Sequence, residues 1–208
     1  MSKLLYVQAS PRKGRSKSIQ VADAFAAAYR ESHPGDTLEV MDLFAADLPA
    51  FDGPAVTAKY VILHGEKHTA EQRRIWDGVE KVIAHFKSAD KYLFAAPMWN
   101  FGIPWRLKQY LDILIQPGYT FRATENGSEG LVKDKPVMAV YARGGEYPEG
   151  TDAAAMDMQK SYFELALRFI GFEKIHSIIV EPTLAGPEKA DIALKKALKE
   201  AAQSAADF

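Results

Sequence analysis

Ala95-Ala96-Pro97-Met98-Trp99-Asn100-Phe101-Gly102-Ile103-Pro104-Trp105-Arg106-Leu107-Lys108-Gln109-Tyr110-Leu111-Asp112 is the segment around which this chain is built. Tyr92 to Ala96, which runs into it, is an apolar stretch that reads as a buried strand. Pro97 closes that strand, because proline has no N–H to donate and fixes its own φ. Met98, Trp99, Asn100 and Phe101 then place one flexible apolar side chain, two aromatics and one amide in a loop. Gly102 and Pro104 punctuate it, and Leu107, Tyr110, Leu111 and Leu114 carry the spacing of an amphipathic helix. Loops at the carboxyl ends of strands are where open parallel sheets take ligands. Trp99 and Phe101 therefore have two readings, as caps over the core or as flat walls of a binding slot.

Outward from this segment, strand and helix patterns alternate along nearly the whole chain. Leu4 to Val7 reads as a first buried strand, and Ile19, Val21, Ala22, Phe25 and Ala26 mark a helix that ends near His33-Pro34-Gly35. Thr37 to Met41 is a second strand. Leu48 to Lys67 reads as a long irregular excursion with Pro and Gly. Thr69, with Gln72 three residues on, announces a capping box and a helix to Lys87. After the central segment, Tyr119 to Gly130 contains Asn126-Gly127, a hairpin signal. Val137 to Tyr141 is a fourth strand, Met156 to Ile170 a helix stopped by Gly171, Ile175 to Val180 a fifth strand, and Pro187 to Ala205 the last helix.

Such alternation predicts an α/β protein whose parallel sheet is covered by helices on both faces. Five strands fit the flavodoxin-like, doubly wound order 2-1-3-4-5, with a switch point between strands one and three. The 208 residues suffice for one such domain, 1-208, with a sizeable core. A net charge of −1 leaves no global field for holding nucleic acid or an acidic membrane surface. No apolar stretch is long enough to span a bilayer, and no signal-peptide core precedes Leu4. The absence of cysteine excludes disulfides, thiolate metal sites and cysteine nucleophiles, and suits a cytoplasmic setting.

The three unusual loops follow strands one, three and four, so the topology predicts that they meet at one edge of the sheet. The first holds Ser10, Ser16 and Ser18 with Arg12, Lys13, Arg15 and Lys17, and opens a helix. Serine there serves either as a plain N-cap with solvated cations around it, or as part of a phosphate site at a helix N-terminus. The loop lacks the Gly-Lys-Ser/Thr ending of a P-loop and the G-x-G-x-x-G of a dinucleotide fingerprint. Arg143-Gly144-Gly145, after strand four, is either a simple turn or a place where backbone approaches a ligand closely. His64 and His68 flank Glu66, but no third ligand is evident, so no metal site is expected.

These motifs together resemble a known family. The run Ala96 to Pro104, the segment Leu107 to Asp112, Gly118-Tyr119-Thr120-Phe121, Thr124-Glu125-Asn126-Gly127, Gly130-Leu131 and Arg143-Gly144-Gly145 are similar to the FMN-dependent NADH:quinone oxidoreductases and azoreductases. The resemblance implies a homodimeric flavoprotein with FMN at the subunit interface. It further implies NADH or NADPH as electron donor, quinones and azo compounds as acceptors, and ping-pong turnover. Carried over residue by residue, Ser10, Ser16, Lys17 and Ser18 match the phosphate loop. Pro97, Met98, Trp99, Asn100 and Phe101 match the loop against the isoalloxazine ring. Ala142, Arg143, Gly144 and Gly145 match the loop at the pyrimidine edge. No side-chain nucleophile or general acid is implied, since the flavin carries the chemistry and Asn100 assists. Departures from the family pattern are Lys17 where glutamine is frequent, Ala142 where serine is, and Ala123 where some members carry an aromatic. The apolar character of Trp99 to Tyr119, including Ile113, Leu114 and Ile115, suggests the dimer face. A flavodoxin-type electron carrier and a non-catalytic flavin-binding regulatory protein are the competing readings.

Overall fold

A computed structural model describes residues 1–208. In chain order the strands are β1 (Lys3–Gln8), β2 (Thr37–Asp42), β3 (Lys91–Pro97), β4 (Phe121–Thr124), β5 (Gly127–Gly130), β6 (Val137–Ala142) and β7 (Ile175–Val180). The helices are α1 (Lys17–Ser32), α2 (Gly53–Leu63), α3 (Ala70–Lys87), α4 (Trp105–Leu114), α5 (Lys160–Ile170) and α6 (Pro187–Ser204). Five strands form one parallel sheet in the order β2-β1-β3-β6-β7. With the β4–β5 hairpin set aside, this is the expected 2-1-3-4-5 order.

The middle strands are buried on both faces, as their unbroken apolar runs require. Successive side chains alternate between two cores. Leu5, Val7, Tyr92, Phe94, Val137 and Ala139 pack under α3, α4 and α5, which contribute Ile83, Phe86, Leu107, Leu111, Phe163 and Leu167. Leu4, Tyr6, Leu93, Met138 and Val140 pack under α1 and α6, which contribute Ile19, Phe25, Tyr29, Ala197 and Ala201. Each fully buried Leu, Ile or Phe contributes about 1.5–3 kcal/mol.

Local signals explain most boundaries. The α3 capping box is complete: Gln72 N–H donates to Thr69 Oγ1 at 3.1 Å, and Thr69 N–H donates to Gln72 Oε1 at 2.8 Å. Gly171 ends α5 in the left-handed conformation, φ 116°. The hairpin base rests on this turn. A Cβ at Gly130 would fall 2.2 Å from the Gly171 nitrogen, and Val132 N–H donates to the Ile170 carbonyl at 2.8 Å.

Two expected elements differ. The excursion from Leu48 to Lys67 contains α2, started by Asp52, whose carboxylate accepts the Ala55 N–H at 3.3 Å, with Pro54 in the first turn. Its exposed Val56, Tyr60 and Leu63 spread apolar residues beyond a single face, which hid the helical period. The helix expected from Met156 begins only at Lys160, because a short 3-10 turn takes Asp152–Met156 and Asp157 accepts the Lys160 N–H at 3.0 Å. No helix is long and apolar enough to cross a membrane.

Candidate active site

The loops after β1, β3 and β6 all leave the carboxyl edge of the parallel sheet. At the β1 end, Ser10, Ser16 and Ser18 are buried, and the hydroxyls of Ser16 and Ser18 lie 3.1 Å apart. Ser16 occupies the N-cap of α1 with extended backbone, φ −82° and ψ 125°, yet its side chain makes no capping bond. Ser16 is thus an N-cap by position only, while the Ser10 hydroxyl accepts the Arg12 N–H at 3.4 Å. The first turn of α1 offers its N–H groups and partial positive charge to an anion. The approach loop is fixed by Gln20 Nε2, which donates to the Gly14 carbonyl at 2.7 Å. Lys17 is half-buried, while Arg12, Lys13 and Arg15 are exposed.

At the β3 end, Trp99 and Gly102 exchange backbone hydrogen bonds, each 3.0 Å long. Between them Asn100 and Phe101 both take positive φ, 47° and 69°. This is the two-residue hairpin geometry normally given to Asn-Gly. Asparagine tolerates it; a phenylalanine there carries about 1–2 kcal/mol of strain. The turn is anchored by Met98 N–H, which donates to the Ala142 carbonyl at 2.8 Å and extends the β3–β6 ladder past Pro97.

Beside this turn is an open cleft of about 500 Å³. Met98, Asn100 and Phe101 line it from the β3 loop, Gly144, Gly145 and Tyr147 from the β6 loop, and Leu184 and Ala185 from the segment after β7. None of these side chains is charged, which suits a flat, largely uncharged ring. Gly144 permits the last contact: a Cβ there would sit 2.8 Å from Leu184 Cδ1, and Leu184 N–H donates to the Gly144 carbonyl at 3.1 Å. Leu184, Ala185 and Tyr147 were not legible as site residues. The usable signal was topological, since the end of a fifth parallel strand lies on the same edge as the others.

Arg143 and the run Ile113-Leu114 both lie inside the protein. Arg143 is buried, and its guanidinium turns into the protein: it meets Asp157 at 2.6 Å, Gln159 at 3.2 Å and Glu181 at 3.3 Å. What this loop presents to the cleft is Gly144, Gly145 and Tyr147. The Tyr141 phenol is held well above its usual range, chiefly by burial. Ile113 and Leu114 are fully buried in the chain's own core and Ile115 packs against it, so this aliphatic run is not a surface patch. The aromatics also separate into two groups. Trp99 and Trp105 meet Phe44 at ring distances of 5.9 and 6.0 Å, while Phe121 meets Phe169 at 4.7 Å. Phe101 and Trp105 remain exposed, 49% and 59%. His64 lies 3.9 Å from Glu66 on the surface, and no group of three or more His, Asp or Glu side chains is arranged to hold a metal ion.

A parallel sheet in this order, with buried serines at a helix N-terminus after β1 and an uncharged cleft between the β3 and β6 loops, defines a flavodoxin-like protein. A family model described as flavodoxin-like fold matches residues 2–205. A protein of Nitratidesulfovibrio vulgaris named FMN-dependent NADH:quinone oxidoreductase is 51% identical over 100% of both chains. One of the same name from Desulfotalea psychrophila is 46% identical over 97% of this chain and 95% of its own. The crystal structure of an azoreductase from Bacillus anthracis superposes with a TM-score of 0.93 at 33% identity, covering 100% of each chain. A second B. anthracis structure, an FMN-dependent NADH-azoreductase in complex with FMN, gives 0.88 at 28% identity over 99% of this chain and 100% of that one. The chain belongs to the family of FMN-dependent NADH:quinone oxidoreductases.

Proposed function

We propose that this protein is an FMN-dependent NADH:quinone oxidoreductase that also reduces azo compounds. The observation that carries the reading is the pairing of an uncapped helix N-terminus holding two buried serine hydroxyls with the uncharged cleft beside the Asn100-Phe101 turn. The α1 N-terminus with Ser10, Ser16, Lys17 and Ser18 would hold the FMN phosphate. Met98, Asn100 and Phe101 would bound one side of the ring, and the Gly144-Gly145 backbone would meet its edge. When bound, FMN supplies a ring that takes a hydride from the nicotinamide and passes it to the acceptor. The chain positions that ring, directs the Asn100 amide toward it and shields it with Phe101 and Leu184. One slot serves donor and acceptor in turn, so turnover is ping-pong.

The reading extends to the whole molecule. Residues 1-208 act as one FMN-binding domain in the cytoplasm, and two copies associate. Exposed Phe101 at the cleft and Trp105 at the start of α4, with Leu165 and Phe169 on α5, support self-association in place of the buried aliphatic run. Stopped-flow mixing of the FMN-loaded protein with NADH, followed by a quinone, tests the activity. Rapid bleaching of the flavin and its return on adding quinone are expected. A bound flavin that neither NADH nor NADPH reduces would overturn the enzyme reading in favour of a non-catalytic flavin-binding protein.

A further inference from the structure

The residues that fix the ring-edge loop lie beneath it, and most carry no motif. Arg143 is 2% exposed, and its guanidinium reaches three partners from two segments, the entry to α5 and the chain just after β7. Asp157 Oδ2 accepts at 2.6 Å from the turn before α5, Gln159 Oε1 at 3.2 Å beside that helix's start, and Glu181 Oε2 at 3.3 Å just after β7. Gln159, itself fully buried, passes the connection on: its Nε2 donates to the Ala96 carbonyl at 2.9 Å, one residue before Pro97. The Arg143 main chain is held as well, with its N–H donating to the Val180 carbonyl at 3.0 Å and its carbonyl accepting from Thr183 N–H at 2.9 Å. One planar cation thus ties together the ends of β3, β6 and β7 and the entry to α5.

We infer that Arg143 is a positioning residue, not a cofactor ligand, and that with Asp157, Gln159 and Glu181 it sets the place of the Gly144-Gly145 backbone against the flavin ring. This rests on the flavin reading above and deepens it. A buried cation with carboxylate partners is retained in a core only at a desolvation penalty, and the fork geometry of arginine is what makes three directed bonds from one group. Lysine in its place keeps the charge but cannot hold three partners in one plane. Removal of Glu181's charge loosens one arm and leaves Asp157 in place. Both changes act on the ring edge and neither touches the phosphate cradle, where Ser16 and Ser18 lie in the loop after β1.

Ring and phosphate can be separated by ligand. Riboflavin keeps the ring and lacks the phosphate. Full-length apoprotein is titrated with riboflavin and with FMN, following flavin fluorescence, for wild type, Arg143→Lys, Glu181→Gln, Ser18→Ala and a core control, Ile83→Val, with circular dichroism as the check on folding. Arg143→Lys is expected to weaken both flavins by the same factor, about tenfold or more, and Glu181→Gln by about threefold. Ser18→Ala should weaken FMN alone, and Ile83→Val neither. A folded Arg143→Lys that binds both flavins like wild type, or that loses affinity for FMN only, overturns the inference. Where Arg143→Lys does not fold, Glu181→Gln decides in the same terms. Wild-type protein that binds no flavin overturns the functional reading itself, and the inference falls with it.

Discussion

The two ends of the proposed flavin site are built on opposite plans. At the β1 end side chains join the N–H groups of a helix N-terminus: the buried hydroxyls of Ser10, Ser16 and Ser18. At the β3–β6 end they are mostly main chain, presented by a left-handed turn at Asn100 and Phe101 and by two glycines. A side-chain site can be weakened one residue at a time without disturbing its frame. A main-chain site depends on whatever holds the backbone still, so its vulnerable residues lie behind it.

The sharpest test of that contrast is Asn100→Ala. Its amide lies at the ring end, where negative charge develops during hydride arrival, and a donor aimed at developing charge acts on the transition state. Single-turnover reduction by NADH in the FMN-saturated variant should slow by about a hundredfold. A rate within a factor of two of wild type would break the assignment. Next in size is Ser18→Ala, which removes one hydrogen bond to a charged group, worth about 1.5–3 kcal/mol. FMN affinity measured by titration should fall roughly tenfold to a hundredfold. Reduction at saturating FMN should stay near normal, because the phosphate changes no charge in the reaction. Equal slowing in both variants would erase the distinction between the two ends.

A third, smaller effect probes strain. Phe101→Gly relieves a left-handed residue that carries a Cβ, so thermal or urea unfolding of the apoprotein should show a gain of about 1 kcal/mol. The freed backbone should bind riboflavin less tightly, the opposite sign from its stability. Gains in both would mean that the strained turn does not shape the ring end.

The smallest effect lies away from both ends and serves as their control. Asp36 is held below the usual carboxylate range, first by the Ser2 N–H and then by the Tyr29 hydroxyl. Glu39 is held low by Lys3 and then by His85. Depressed carboxylates contribute stability that is present above their unfolded pKa and lost as pH falls through the folded value. Melting temperature should therefore decline as pH drops below about 4. Asp36→Asn should flatten that decline and leave flavin affinity at pH 7 unchanged. An unaltered slope would remove Asp36 from the acid response.

The same contrast decides what could be read in advance. Strands β1, β3 and β6 declare themselves because burial on both faces demands unbroken apolar runs, and Thr69 with Gln72 declares α3 because the capping box is local. The grouping of Ser16 and Ser18 at the start of α1 is legible for the same reason, being side chains close together in sequence. The support beneath the ring end is not. Asp157 and Glu181 stand 14 and 38 residues from Arg143, and only the folded sheet brings them to it. Ile113 and Leu114 misled in the reverse direction, since apolar residues of a helix look the same whether they face their own core or another chain.

The β4–β5 hairpin has a consequence for protein engineering. At its base Gly130 abuts the Gly171 backbone so closely that no side chain fits between them. At its tip Glu125 and Asn126 are exposed. An epitope or a short recognition peptide spliced between those two residues would leave the molecule in a direction set by main-chain contact at the foot of the hairpin. The fold thus supplies a ready handle for immobilising the protein on an electrode in a single orientation.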